Sequence, residues 1–192
     1  PFLAAAGELK TKPTQHSVKT LLESGIQPDI LVCRTEHSIN SEIKSKIAQF
    51  CNVEHDAVIE SIDVSTIYEV PLLMQKEGLD KIVLKKLGLT HNKEVKLKEW
   101  KKFLKRLQNP KQETVIGLVG KYVELKDAYK SISEAIIHAG AKNSCKVKVT
   151  WIHAETINDS NVVEKLADLK GVIVAPGFGE RGVEGKITAI KH

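Results

Sequence analysis

The sequence predicts an α/β protein with mainly parallel sheets, built in two parts. Three observations carry that prediction. Continuous apolar runs recur at residues 30–33, 115–119 and 172–174, the pattern of strands covered on both faces. Amphipathic helical periods lie between them, with short connections. The alternation then restarts after a polar break, Asn109-Pro110-Lys111-Gln112, which marks a domain boundary. The first domain is read as residues 1–108, ending in a linker helix, and the second as residues 113–192.

Taken in order, Pro1, Phe2 and Leu3 read as the end of a strand. Thr14 can cap a helix whose Val18, Leu21 and Leu22 fall at i, i+3 and i+4, with Gly25 as its stop. Pro28 and Asp29 lead into the strand of residues 30–33. Asn40 or Ser41 can cap the next helix, which carries Ile43, Ile47 and Phe50 on one face. Residues 57–59 form a further short strand. Asp63 can cap a helix running through Ile67, Leu72 and Leu73, with Pro71 in its first turn or at a kink. Over residues 91–108 the composition shifts: Leu97, Trp100, Phe103, Leu104 and Leu107 keep a helical period among lysines.

The second part opens on the strand at 115–119. A helix over 127–139 follows, with Ile132, Ala135, Ile136 and Ala139 inward and Gly140 as its stop. Val147, Val149 and Trp151 alternate with polar residues, so that strand has one polar face. Residues 162–166 suit a short helix, 172–174 a third strand and 184–192 a last helix.

With 192 residues, 42% of them hydrophobic, the chain can bury a core. The net charge of +5 suits a protein that handles anionic small molecules. Much of the excess sits at residues 93–106, which reads as a solvated helix face over a domain junction rather than a nucleic-acid contact. Cys33, Cys51 and Cys145 show neither metal spacing nor a disulfide framework and read as reduced thiols of a cytoplasmic protein, Cys33 and Cys51 in the core. The seven histidines are scattered without i, i+4 pairs. No apolar run approaches the ~20 residues of a membrane span. The chain begins at Pro1 in an apolar stretch and stops at His192 inside a predicted helix, so a piece of a longer protein is expected.

Two loops could carry chemistry. In Lys10-Thr11-Lys12-Pro13-Thr14-Gln15 two lysines flank a threonine just before a helix start. Lysine binds phosphate as a point charge, and a helix start adds free N–H groups and a positive dipole end. The glycines of a Walker loop are missing, so the residues alone leave a phosphate site and a solvated loop both open. The second loop, Gly177-Phe178-Gly179, follows a strand, where open α/β sheets bind ligands. It is either a close approach to a ligand or a tight turn. Arg181 and Glu184 beside it form either a salt bridge or a ligand clamp, and Lys46 can simply pair with Glu42.

The string Gly7-Glu8-Leu9-Lys10-Thr11-Lys12-Pro13-Thr14-Gln15-His16-Ser17, then Gln27-Pro28-Asp29, Phe50-Cys51-Asn52-Val53, Gly120-Lys121-Tyr122-Val123-Glu124-Leu125 and Gly177-Phe178-Gly179 with Arg181-Gly182-Val183-Glu184-Gly185, resembles the CTP synthase family from end to end. The resemblance implies a Rossmann-like, P-loop-type amidoligase part followed by a flavodoxin-like class I glutamine amidotransferase part, both incomplete. It implies an ATP- and magnesium-dependent amination of UTP to CTP, with ammonia drawn from glutamine, CTP as feedback inhibitor, GTP as activator and a homotetrameric full-length protein.

Residue by residue, the resemblance assigns Lys10, Thr11, Lys12, Pro13, Thr14, Gln15 and Lys46 to the UTP/CTP site. It assigns Ile62, Asp63 and Val64 to the ATP adenine, and Gly177 to glutamine. Arg181, Gly182 and Glu184 match the region that senses GTP. Pro176 stands where many members carry a further glycine, so it offers no N–H there. The magnesium ligands and phosphate loop are expected before Pro1. The nucleophilic cysteine and its histidine and glutamate partners are expected after His192, so this chain alone is expected to be inactive. A non-catalytic nucleotide-binding regulatory module, or a different ATP-dependent synthase, remains the alternative.

Overall fold

Short apolar runs become parallel strands in the computed structural model, which describes residues 2–5, 7–90 and 95–192. The chain divides into two units, residues 1–97 and 98–192.

The first unit opens with an antiparallel hairpin, β1 (Phe2–Leu3) and β2 (Glu8–Leu9). Helix α1 (Lys12–Glu23) starts earlier than a Thr14 cap would allow, with Thr11 in the cap position. Pro13 causes the difference: it falls in the first turn, where its missing N–H would have no helical partner anyway. Strand β3 (Leu31–Thr35) pairs in parallel with β4 (Val58–Ile62), Leu31 opposite Val58 and Thr35 opposite Ile62. Between them runs α2 (Ser41–Cys51), capped by Asn40, whose Oδ1 accepts the Ile43 N–H at 2.9 Å.

The core joins Val18 of α1, Ile47, Ala48 and Cys51 of α2, and Val58 of β4. It covers one side of the strand pair. Val32 is 52% exposed, so the run expected to be buried on both faces is buried on one. Phe50 also lies outside the core, because the inward stripe of α2 runs Ile43, Ile47, Cys51 at a spacing of four. Asp63 does not cap a helix. Thr66 does, over one 3-10 turn (Ile67–Glu69), before α3 (Val70–Lys76) and α4 (Leu79–Lys86). Glu77, just past α3, accepts from Lys44 Nζ of α2 at 2.7 Å and from the Glu60 N–H of β4 at 3.1 Å.

The helix expected over 91–108 is α5 (Lys98–Gln108), and positions 91–94 lie outside the described residues. It groups with the second unit rather than trailing the first. Its apolar face packs on α6 (Lys130–Lys142), with the Phe103 ring edge-on to His138 at 5.6 Å.

Strand β5 (Gln112–Gly120) is the centre of a parallel sheet ordered β6-β5-β7, with β6 over Cys145–His153 and β7 over Gly171–Val174. Successive residues of β5 point to opposite faces. Leu118 joins Tyr129, Ile136 and Ala175 in one core. Val119 joins Ile152, Ala154, Ile157, Val162, Leu166 and Ala189 in the other. Strand β6 alternates as expected, and α7 (Val162–Leu166) has the expected span. Helix α6 runs past Gly140. That glycine serves packing: a Cβ there would lie 2.6 Å from the Cys145 carbonyl oxygen. The last helix is α8 (Val183–Lys191).

Candidate functional sites at the carboxyl ends of the strands

In the first unit, the start of α1 borders an open cleft of about 440 Å³. Glu8, Thr11, His37, Ser38, Glu42 and Lys46 are among its lining residues. Thr11 is buried, and its hydroxyl accepts from Gln15 Nε2 at 3.1 Å. The Gln15 amide is therefore committed to its own helix turn. No acidic residue stands in the first turn of α1, so its free N–H groups and dipole favour an anion.

Lys10 pairs with Glu8 on the rim. The Lys10 hydrogen bond and charge, with a further contribution from Lys46, hold the Glu8 carboxyl below its ordinary range. Lys12 is exposed in the first turn, beside Pro13 and Thr14. No Lys46–Glu42 ion pair forms among the described residues; Lys46 lines the cleft instead.

The second predicted set lies elsewhere in the same unit. Ile62 ends β4 opposite Thr35, and the Asp63 N–H donates to the Thr35 carbonyl at 2.9 Å. The Asp63 carboxylate accepts from Arg34 Nε at 3.2 Å and lines a separate cleft with Phe2, Arg34, Thr35 and Glu36. Val64 follows, half-buried. Phe2 lines both clefts. The two sets are thus neighbours, not one pocket.

In the second unit, the loop after β7 meets the ends of β5 and β6. Ala175 extends the pairing by donating to the Val119 carbonyl at 2.8 Å. Pro176 and Gly177 follow, and a Cβ at Gly177 would lie 3.1 Å from Lys121 Cε and 3.3 Å from Lys186 Nζ. The Phe178 ring is 99% exposed, while its carbonyl accepts from Lys121 Nζ. Gly182 occupies the cap position of α8, and Gly185 lets that helix approach the Ala154 carbonyl. Arg181 pairs with Glu155, not with Glu184, which stands exposed in the first turn of α8.

Residue patterns alone missed His37, Ser38 and Glu42 in the first cleft, and Glu155 beside the loop. Lys121 had a findable position, directly after the buried run of β5. No group of three or more His, Cys, Asp or Glu side chains that could hold a metal ion occurs among the described residues. No helix among them is long and apolar enough to cross a membrane.

Both units present polar groups just past the carboxyl ends of parallel strands, which is where α/β proteins of the ligand-binding class carry their sites. Comparison with known proteins narrows the class. A family described as "CTP synthase N-terminus" matches residues 1–89, and "Glutamine amidotransferase class-I" matches residues 124–192. The chain is 66% identical over 192 residues to a CTP synthase of Flavobacterium johnsoniae, covering all of this chain and 36% of that protein. It is 62% identical over 192 residues to one of Christiangramia forsetii, again over all of this chain and 35% of the relative. With one of Methanocaldococcus jannaschii the identity is 59% over 199 residues, covering all of this chain and 36% of the relative. The chain is thus similar to CTP synthases along its whole length, and it spans about 36% of the length of these relatives.

Proposed function

We propose that the chain supplies nucleotide- and glutamine-binding parts of a glutamine-hydrolysing CTP synthase, a cytoplasmic, homotetrameric ligase of pyrimidine nucleotide biosynthesis. The observation that carries this reading is the shared cleft of Glu8, Thr11 and Lys46 at the start of α1, with Lys10 on its rim. Lys10, Lys12 and Lys46 take the triphosphate of UTP, or of CTP as inhibitor, and the Thr11-to-Gln15 turn shapes the site. Ile62, Asp63 and Val64 hold the adenine of ATP in the neighbouring cleft.

The Gly177 N–H serves the oxyanion that develops when glutamine is hydrolysed. Arg181, Gly182 and Glu184 respond to GTP. The first unit is then part of a P-loop-type amidoligase and the second part of a flavodoxin-like amidotransferase. Magnesium belongs to this reading as the cofactor that accompanies ATP.

The test replaces the matching segment of the Flavobacterium johnsoniae CTP synthase by this chain and titrates UTP into the full-length product. Lys10→Ala combined with Lys12→Ala is expected to weaken UTP binding about tenfold or more, with ATP affinity little changed. Unchanged UTP affinity in the double variant would overturn the assignment.

A further inference from the structure

Lys121 is 5% exposed, and no carboxylate lies within ion-pair distance of it among the described residues. A buried ammonium without an anion is costly, and methionine would fill the same space without that cost. The Lys121 backbone is fixed. Its N–H donates to the Tyr129 hydroxyl at 3.0 Å, and the Tyr122 N–H donates to the same oxygen at 3.3 Å. The side chain then runs under the loop after β7. Its Cε lies 3.1 Å from where a Gly177 Cβ would be, and its Nζ stands 5.4 Å over the Tyr122 ring. The hydrogen bond it makes there is to the Phe178 carbonyl.

That bond sets more than one atom. The 178–179 peptide is planar and trans, so its N–H points opposite to its C=O. With the Phe178 carbonyl drawn toward the ammonium, the Gly179 N–H faces away from Lys121. Gly179 sits at φ +79° with open space around it. A glycine accepts either orientation of the preceding peptide at little cost, so the local sequence does not choose one.

We propose that Lys121 is a positioning residue that fixes the 178–179 peptide and with it the conformation of the Gly177–Gly179 loop, so that the Gly177 N–H is set for the glutamine carbonyl before substrate arrives. The inference rests on the reading of this loop as the glutamine site. Lys121 contacts the loop itself, at the Phe178 carbonyl, so its effect is expected on turnover rather than on substrate affinity.

The test uses the full-length chimera, with Lys121→Met, Lys121→Leu and Lys121→Arg. Glutaminase kcat and KM are measured beside hydrogen–deuterium exchange of the 176–182 peptide. Lys121→Met is expected to lower kcat about tenfold or more, with KM within about threefold, and to speed exchange across 176–182. Lys121→Arg, which keeps a cationic donor, is expected to recover part of both. If Lys121→Met does not fold, Lys121→Leu, which also lacks a donor, is read in the same way. Exchange and kcat both unchanged in a folded Met or Leu variant would overturn the inference, as would a rise in KM at unchanged kcat. Absence of glutaminase activity in the unsubstituted chimera would instead overturn the reading of the loop as a glutamine site, and exchange at 176–182 would still decide the role of Lys121.

Discussion

The Tyr129 hydroxyl accepts two backbone N–H groups, from Lys121 and Tyr122, at the point where β5 ends. Tyr129→Phe keeps the ring in its core with Leu118 and Ile136 but leaves both donors without that acceptor. A loss of about 1–3 kcal/mol is expected from urea denaturation of the chain. Neither Tyr129 nor Lys121 was legible as a partner in the sequence. Each owes its role to a contact across 8 or 57 positions, and residue pattern reports only neighbours. Asn40 was legible for the opposite reason: a cap reaches three residues along the chain, to the Ile43 N–H. The same limit hid the choice by Arg181 of Glu155, 26 positions away, over Glu184.

At the scale of elements, Glu77 ties α2, β4 and the end of α3 together. Partial burial alone pushes its carboxyl up. The Lys44 ammonium and the Glu60 N–H outweigh that and hold it below its ordinary 4.5. The folded state therefore binds its proton more weakly than the unfolded state. The stabilisation is complete above the ordinary value and is lost as pH falls through the folded one. Glu77→Gln is expected to cost about 1–2 kcal/mol near neutral pH. The gap to the unsubstituted chain narrows as pH falls below the ordinary 4.5 and closes once pH passes the lowered folded value, and thermal melts across an acid pH series check it.

The elements themselves were largely legible, because apolar period sets α2, β6 and α7. The exceptions have separate causes. Pro13 moved the start of α1 forward, since its geometry suits a first turn. Gly140 did not end α6, since it is there to let the helix approach β6. The strand at Val32 proved one-sided because an apolar run does not say how many layers cover it.

Across the whole molecule the charge is +5, and Lys10 and Lys12 of the proposed UTP site lie open to solvent. Exposed charges are screened within about 10 Å at 0.1 M salt. UTP affinity of the chimera is therefore expected to fall several-fold between about 50 and 300 mM salt, measured by titration calorimetry. The second unit carries a different whole-molecule property. Leu118 and Val119 are paired on both sides, with Trp151 and Ile152 on one and Ile173 and Val174 on the other. Between two cores, their amide protons are expected to be the last of this unit to exchange with heavy water. Opening is then expected to proceed from β7, a four-residue strand paired on one side among the described residues, with Val172 and Ile173 more than a third exposed, toward a centre that yields only when the unit unfolds as one.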